Sequence, residues 1–224
     1  PVTSPCSHAI PDLHRRAKLS GQAAGAGVGE SDYVADYRRS RAGERYNDGY
    51  AFGAIAFKRA LAESGLKRYE IDGLIVGSTL AYERTAEVLG IEPRWAAQGD
   101  AATSLIEGML AIQSGLAECV ALVYGNDQRT AGTSYGGPQA MGGESFLSYL
   151  YYAPWGMTSQ GALYGLMFKR HQLVYGTTEE QLAAVSIAFR KHASMHPNAV
   201  MQTPIRKDAY LAARYTDGPL PLLS

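Results

Sequence analysis

Short apolar runs alternate with segments of helical periodicity between Leu19 and Asp127. Three of the runs predict buried strands, namely IDGLIVGST at 71–79, RWAA at 94–97 and ECVALVYG at 118–125. The small residues of GQAAGAGVG at 21–29 predict a further strand.

Helices are predicted between these runs. The segment GYAFGAIAFKRALAESG at 49–65 ends on Gly65, a residue suited to a helix C-cap, and its apolar residues share one helical spacing: Phe52, Ile55, Ala56, Ala60 and Leu61. A short helix is predicted at ERTAEVLG, 83–90, and another from about Thr103 to Ser114. Strands and helices that alternate in this way predict an α/β layered core.

The pattern changes after Asp127. Residues 129–156 are rich in Gly and Tyr and too long for a plain connection, so they are expected to form a functional loop over a site. Two helices follow, at 158–176 and 177–195, the second with Thr177 or Thr178 as its N-cap, and then a short helix and an extended end. The chain is therefore divided into an N-terminal arm at 1–18, a core at 19–128 and a helical excursion at 129–224.

Composition narrows the class of protein. The 224 residues are 46% hydrophobic, enough for a sizeable core, and 21 basic residues balance 21 acidic ones. This balance predicts no nucleic-acid or membrane partner, and no apolar run reaches the length of about 20 residues that a membrane span requires. Two cysteines, Cys6 and Cys119, argue against a disulfide framework and favour a soluble, cytoplasmic protein. Because Pro1 is not an initiator Met and YTDGPLPLLS ends on an apolar run, we expect a piece of a longer gene product.

Two glycine-rich segments raise the question of phosphate binding. GAGVGES at 25–31 places Glu30 where a dinucleotide fingerprint has its third glycine, so a tight turn at a strand end is favoured. GGPQAMGGES at 136–145 lacks the ending of a P-loop, so a flexible lid is favoured there. Neither segment predicts a nucleotide site.

Other side chains have a structural and a functional interpretation. His192 and His196 stand four residues apart, but Pro197 follows and no Glu accompanies them, so a solvated or capping pair is favoured over zinc. Cys119 lies in a predicted strand, where a free thiol usually behaves as a buried hydrophobe. The aromatic cluster of the long loop either lines an apolar pocket or packs the loop: Tyr149, Tyr151, Tyr152 and Trp155. A basic cluster either forms an exposed helix face or contacts an anion such as a CoA phosphate: Lys169, Arg170 and His171.

The most informative stretch is Gln98-Gly99-Asp100. A strand, a turn and a helix N-terminus follow one another there, which exposes the turn side chain and directs backbone N–H groups and the positive helix dipole at it. That geometry is typical of nucleophile elbows. Yet Gln98 cannot attack an acyl group, Asp100 is better suited to cap the helix, and Thr103 and Ser104 lie inside the helix without an evident base.

From about Leu19 to Leu223 the chain resembles the thiolase superfamily, specifically the sterol-carrier-protein-type thiolases and the thiolase-like lipid-transfer proteins of steroid and acyl-CoA degradation. The segments that carry the resemblance are GVGESDY, ALAESGLKRYEIDGLIVGS, AIQSGLAECVALVYGND, the run APWGMTSQGALYGLMFKRHQLVYGTTEEQLAAVSIAFRKHASMHPNA and PLPLL. The resemblance implies a layered αβαβα fold of two similar halves. It implies that this chain holds the first half without its final strand, together with the start of a CoA-facing helical loop domain. It also implies a homodimer, a CoA thioester as substrate, and no bound cofactor or metal.

The resemblance places the nucleophilic cysteine of thiolases at Gln98, and no Cys occurs from Arg94 to Ser114. It further implies that the remaining catalytic residues of such an enzyme lie in a second half that this chain does not reach. The residues it offers as contacts of substrate or CoA are Gln98, Asp100, Met157, Thr158, Ser159, Lys169 and Arg170.

Loss of the thiol removes the acyl-enzyme on which thiolysis depends. A CoA-thioester pocket with oxyanion donors suits retro-aldol or retro-Claisen cleavage of a C–C bond, and Cys-less relatives resemble such aldolases, paired with a small acyl-CoA-binding subunit that carries a zinc ribbon and an OB-type fold. Two alternatives stay open: an ordinary thiolase (acetyl-CoA acyltransferase), and a non-catalytic acyl-CoA- or lipid-binding subunit of a heteromeric complex. The aromatic loop permits a steroid or aromatic acyl group.

Overall fold

The computed structural model describes residue 21, residues 23–44, 47–127, 151 and 153–155, and residues 160–217 and 220–221. The chain forms two compact units. The first comprises the described residues of Pro1–Ser31 and Asn47–Asn126, and the second those of Asp32–Tyr46 and Asp127–Ser224. Helix α1 (Tyr33–Ala42) belongs to the second unit although it precedes the first unit's helices in the chain. The proposed arm at 1–18 lies outside the described residues.

A three-stranded parallel sheet is the centre of the first unit. Its strands are β1 (Gly73–Val76), β2 (Trp95–Gln98) and β3 (Val120–Val123), in the order β2-β1-β3. The helices are α2 (Gly49–Ser64), α3 (Tyr82–Leu89) between β1 and β2, and α4 (Ala101–Gln113) between β2 and β3. Because β1 is central, the connection through α4 crosses from one side of β1 to the other, which makes the carboxyl edge of the sheet a topological switch point.

The strand side chains alternate between two packing surfaces. Leu74 and Val76 are buried together with Phe57, Leu89 and Val123 in the core that α2 and α3 cover. Ile75 lies on the other surface, where its Cδ1 atom is 3.7 Å from the point at which a Cβ on Gly108 of α4 would lie. The strands predicted at 71–79, 94–97 and 118–125 and the three helices predicted between Gly49 and Ser114 are thus confirmed, and the Gly65 C-cap is confirmed by its left-handed φ of 75°.

The segment that precedes α1 corrects one prediction. Residues 23–32 form an irregular segment, and the strand predicted at 21–29 is wrong. A Cβ on Gly27 would lie 2.5 Å from the Ala60 carbonyl oxygen, and one on Gly29 would lie 1.9 Å from that of Ala56. Small residues are therefore needed for close approach to α2 and not for strand pairing. Because no strand leads into GAGVGES, the geometry of a dinucleotide fingerprint is missing.

Asp72 joins the amino ends of all three strands. Its carboxylate accepts hydrogen bonds from the Glu118 and Cys119 amides at 2.8 Å and forms an ion pair with Arg94 at 2.8 Å. Burial opposes ionisation of this carboxyl, but the two amides and Arg94 outweigh it and lower its pKa. Asp72 thereby holds the residues that precede β2 and β3 against the start of β1.

The second unit is mainly helical. It contains α5 (Gln160–Tyr175), α6 (Glu179–Met195), α7 (Lys207–Leu211) and a small antiparallel pair, β4 (Tyr215–Asp217) with β5 (Leu220–Pro221). A capping box of Thr178 with Gln181 begins α6, which decides between the two predicted N-caps. No described helix combines the length and the apolar character needed to cross a membrane.

Candidate functional site

The three parallel strands end at one edge of the sheet, and the segments that follow them contact one another. The Thr79 hydroxyl donates to the Gly125 carbonyl oxygen. A Cβ on Gly77 would lie 2.3 Å from the Tyr124 ring, so that ring packs directly on the Gly77 backbone. Ligands of open parallel α/β sheets bind at this kind of edge, outside the carboxyl ends of the strands.

The predicted elbow is present at this edge. Gln98 is the last residue of β2, the Gly99 amide donates to the Val76 carbonyl oxygen at 3.0 Å, and Asp100 is the N-cap of α4. The Asp100 carboxylate accepts from the hydroxyl of Thr103 at 2.8 Å and from its amide at 3.2 Å, and these two bonds lower its pKa. The prediction that Asp100 caps the helix is confirmed. This cap places the Asp100 carboxylate at the helix N-terminus, where the elbow geometry alone predicts an anion site.

The Gln98 side chain turns back onto the sheet. Its Nε2 atom donates to the Leu80 carbonyl oxygen at 2.9 Å, although the residue as a whole is exposed. This bond ties the tip of the elbow to the segment that follows β1. The side chain at the tip of the elbow is thus a structural donor, and sequence reasoning did not foresee its partner.

A second carboxyl lies against the elbow. Glu107 is the only charged residue of α4, and a Cβ on Gly99 would lie 3.0 Å from its Oε2 atom and 2.9 Å from the Ser104 Oγ atom. The Oε2 atom is buried and has no hydrogen-bond partner among the described residues. Sequence reasoning missed Glu107, although a single acid in the otherwise uncharged helix AATSLIEGMLAIQ is a signal that could have identified it.

The proposed CoA contacts outside the elbow divide into two groups. Lys169 and Arg170 are exposed on α5, as the interpretation of an exposed face predicts. Met157, Thr158 and Ser159 lie outside the described residues. The elbow belongs to the first unit and α5 to the second.

The remaining candidates have local structural roles. His171 lies 2.7 Å from the Thr177 hydroxyl through its Nδ1 atom, and its ring packs on Tyr175 with centroids 4.6 Å apart. His196 is the C-cap of α6 and accepts the Asn198 amide at 3.2 Å, as expected of a capping residue, and His192 is exposed.

Cys119 immediately precedes β3 and packs against the first unit's core, and burial raises the pKa of its thiol. Tyr151 and Trp155 are exposed, whereas Tyr149 and Tyr152 lie outside the described residues, as does most of the long loop. Within the described part of the chain, no three His, Cys, Asp or Glu side chains form a group that could hold a metal ion.

No family model matches the chain. A 17-hydroxy-3-oxo-4-pregnene-20-carboxyl-CoA lyase from Mycobacterium tuberculosis is 28% identical over 222 residues, which covers 92% of this chain and 54% of the lyase. An acetyl-CoA acetyltransferase from Methanothermobacter thermautotrophicus is 37% identical over 62 residues, which covers 28% of this chain and 16% of that enzyme. The chain spans about half the length of the lyase it matches.

Two solved structures share the fold. An Ltp2-ChsH2(DUF35) aldolase matches with a TM-score of 0.74 at 24% identity, covering 88% of this chain and 50% of that one. A monomeric SCP2-thiolase like protein from Mycobacterium smegmatis matches with a TM-score of 0.61 at 17% identity, covering 88% and 41%. The fold is thiolase-like. The α/β class and the resemblance to sterol-carrier-protein-type thiolases are thereby confirmed at the level of the fold.

In this thiolase-like fold the residue at the tip of the elbow is Gln98, and the cap that follows is Asp100. The backbone geometry of strand, turn and helix is retained, and the side chains that occupy it are an amide and a carboxylate. Neither side chain is a nucleophile toward a thioester at neutral pH in the way that a thiolate is.

Proposed function

We propose that this chain is part of a thiolase-like acyl-CoA enzyme that cleaves or forms a C–C bond next to a CoA thioester by retro-aldol chemistry, without a covalent acyl-enzyme. One observation supports it above the others: the elbow is intact, but its tip is Gln98, whose Nε2 atom is held by the Leu80 carbonyl oxygen at 2.9 Å. The name of the similar Mycobacterium tuberculosis protein, a carboxyl-CoA lyase, favours the same reaction class.

The proposed reaction is balanced without an oxidant or an acyl acceptor. A base removes the proton of the β-hydroxyl group, the bond between Cα and Cβ breaks, and the electron pair moves to Cα as a thioester enolate. Protonation at Cα then gives a shortened acyl-CoA, while the β carbon leaves as a ketone or an aldehyde. The enzyme must stabilise the enolate by hydrogen bonds and transfer two protons, and neither task uses a sulfur nucleophile.

A steroid acyl-CoA is the substrate class that we propose, because the similar lyase is named for a pregnene carboxyl-CoA. Exposed Lys169 and Arg170 are proposed contacts of CoA phosphates, and Met157, Thr158 and Ser159 are proposed contacts of the CoA chain. A heteromeric partner is supported by the two components named in the similar aldolase structure. A homodimer, a small subunit with a zinc ribbon and an OB-type fold, and a cytoplasmic location complete the proposal.

The test uses the native full-length protein, together with any chain that co-purifies, and 17-hydroxy-3-oxo-4-pregnene-20-carboxyl-CoA as substrate. We expect a ketone and a shortened acyl-CoA to form in equal amounts in the absence of free CoA, with no mass added to the protein. Strict dependence on free CoA, together with an acyl adduct in the intact mass, would contradict the proposal.

An ordinary thiolase is the second candidate function, since 62 residues match an acetyl-CoA acetyltransferase at 37% identity. That reading needs a nucleophile from outside the elbow. Treatment with iodoacetamide separates the two, because a thiolase loses its activity on alkylation and the proposed aldolase retains it. A third reading, a non-catalytic acyl-CoA-binding subunit, predicts binding of the substrate with no turnover under either condition.

A further inference from the structure

The Glu107 carboxyl lies beneath the tip of the elbow. A Cβ on Gly99 would meet its Oε2 atom at 3.0 Å, which places that oxygen against the Gly99 backbone. Oε2 is buried and lacks a hydrogen-bond partner among the described residues. A buried polar atom that is left unpaired costs free energy, so Glu107 does not stabilise the fold through a hydrogen bond of this atom within the described residues.

Among the described residues that form the elbow and that follow β1 and β3 in the first unit, the charged side chains are carboxyls. Asp100 adds a second carboxylate, and it occupies the α4 N-terminus by accepting from the Thr103 amide at 3.2 Å. The segments that follow β1 and β3 in the first unit, residues 77–81 and 124–126, contain no Lys, Arg, His, Asp or Glu, and Tyr124 is their one ionisable residue. No cation from these segments offsets the two carboxyls. The helix dipole that would favour an anion is therefore opposed at its own N-terminus.

We propose that Glu107 is a specificity-determining residue that, together with the Asp100 cap, disfavours negative charge at position 98 and so excludes acyl-enzyme chemistry from this elbow. The inference rests on the proposed function, which it deepens. A thiolate nucleophile needs a neighbourhood that stabilises its charge, and this elbow supplies carboxyls where a thiolase would need amides and cations. Replacing Gln98 by cysteine alone would then restore the sulfur without restoring its reactivity.

A reporter thiol tests this directly. Gln98→Cys is introduced into the full-length protein, with Cys119→Ala in every variant so that the tryptic peptide 95–129 holds one thiol. The rate of alkylation of that peptide by iodoacetamide is measured by mass spectrometry from pH 6 to pH 10, a window chosen to span the pKa of an ordinary cysteine, about 8.5. We expect the reporter thiol to have a pKa above that value.

Removal of the buried carboxyl should reverse the effect. Glu107→Gln is expected to lower the reporter pKa by about one unit, because a nearby negative charge disfavours the thiolate and its removal relieves that effect. Alkylation at pH 7.5 should then accelerate by about five- to tenfold. Asp100→Asn keeps a good N-cap and removes the charge, so it should act in the same direction.

The matched control is Glu92→Gln, which makes the same chemical change at an exposed residue that precedes β2 at the opposite edge of the sheet. It should leave the reporter pKa unchanged. A reporter pKa at or below that of an ordinary cysteine in the Gln98→Cys parent overturns the proposal, as does a reporter indifferent to both Glu107→Gln and Asp100→Asn. Circular dichroism identifies any variant that fails to fold. If Glu107→Gln or Asp100→Asn is lost in this way, the reporter pKa of the Gln98→Cys parent still tests the proposal. Because no substrate is involved, failure here is distinct from failure of the aldolase assay.

Discussion

Gln98 and Leu80 are joined by a hydrogen bond of 2.9 Å from the side-chain Nε2 atom to the carbonyl oxygen. Gln98 is the last residue of β2, and Leu80 lies on the segment that follows the neighbouring parallel strand β1. The bond therefore closes the carboxyl edge of the sheet at the tip of the elbow. A glutamine suits this position because it supplies a donor, is long enough to reach Leu80 and carries no charge.

Gln98→Ala is expected to lower the free energy of unfolding by about 1 kcal/mol, the net worth of one such bond. Gln98→Glu should cost more than Gln98→Ala at neutral pH, because a carboxylate only accepts and would face the Leu80 carbonyl oxygen. Gln98→Met serves as control, since it keeps the length of the side chain and removes the donor. Urea denaturation at pH 7.5 measures all three. Equal stability of Gln98→Glu and the parent would show that the bond is not formed in solution.

The contact of residues 23–32 with α2 leads to a second prediction. A Cβ on Gly29 would lie 1.9 Å from the Ala56 carbonyl oxygen and 2.6 Å from the Ala60 amide nitrogen, both of them backbone atoms of a helix. Gly29→Ala should therefore lower the free energy of unfolding by more than about 2 kcal/mol. Gly25→Ala is the matched control, because no heavy atom lies within 4 Å of its added Cβ. Its effect should stay within about 1 kcal/mol, and in the stabilising direction. If the two variants melt at the same temperature, residues 23–32 do not pack as described.

Local patterns were sufficient to predict most of the first unit. Apolar runs bounded by turn residues identified the three strands, and a glycine after a periodic segment identified the end of α2 at Gly65. The strand, turn and helix of the elbow could be read in the same way, because each is encoded within a few residues. The strand predicted at 21–29 was wrong because small residues fit two situations, a strand and a backbone that approaches a helix closely.

The side-chain interactions of the elbow could be predicted from the sequence only in part. The Asp100 cap is a local feature, three residues from its partner Thr103, and sequence reasoning found it. The bond from Gln98 to Leu80 joins residues 18 apart and depends on the parallel pairing of β1 with β2. The burial of Glu107 depends on how α4 lies against Gly99. The bond has no local signature, and the single acid of α4 marks Glu107 without indicating that it lies against Gly99, so each relationship required the fold.

The basic residues of α5 lead to a prediction about substrate affinity. If Lys169 and Arg170 contact CoA phosphates, Lys169→Gln and Arg170→Gln should each raise the KM for the acyl-CoA by about two- to fivefold and leave kcat unchanged, because exposed charge pairs contribute about 0–1 kcal/mol. The increase should shrink at high salt, which screens the same interaction in the parent. Lys191→Gln, an exposed residue of α6, is the control and should leave KM unchanged. Identical effects of the three variants would remove Lys169 and Arg170 from the CoA site.

The contacts of Asp72 at the amino edge of the sheet lead to a prediction about pH. The Cys119 and Glu118 amides and Arg94 outweigh the opposing effect of burial and hold the pKa of Asp72 below its ordinary value. A carboxyl whose folded-state pKa is depressed stabilises the fold fully above its unfolded pKa, about 3.9, and this contribution is lost as the pH falls through the folded value. Asp72→Asn should therefore lower the free energy of unfolding by about 1–3 kcal/mol at pH 7, through weaker bonds to the two amides and Arg94.

The difference between Asp72→Asn and the parent should shrink as the pH falls from 5 towards the folded-state pKa of Asp72, because the parent then loses the same charge. Urea denaturation of both proteins at intervals of half a pH unit measures this convergence. Glu92→Gln, which removes an exposed carboxylate, is the control and should follow the parent throughout. If the difference in free energy of unfolding between Asp72→Asn and the parent is constant with pH, the shape of the Asp72 side chain, and not its charge, accounts for its stabilising effect. The amides of Glu118 and Cys119 would then bind the neutral side chain as well as the ionised one.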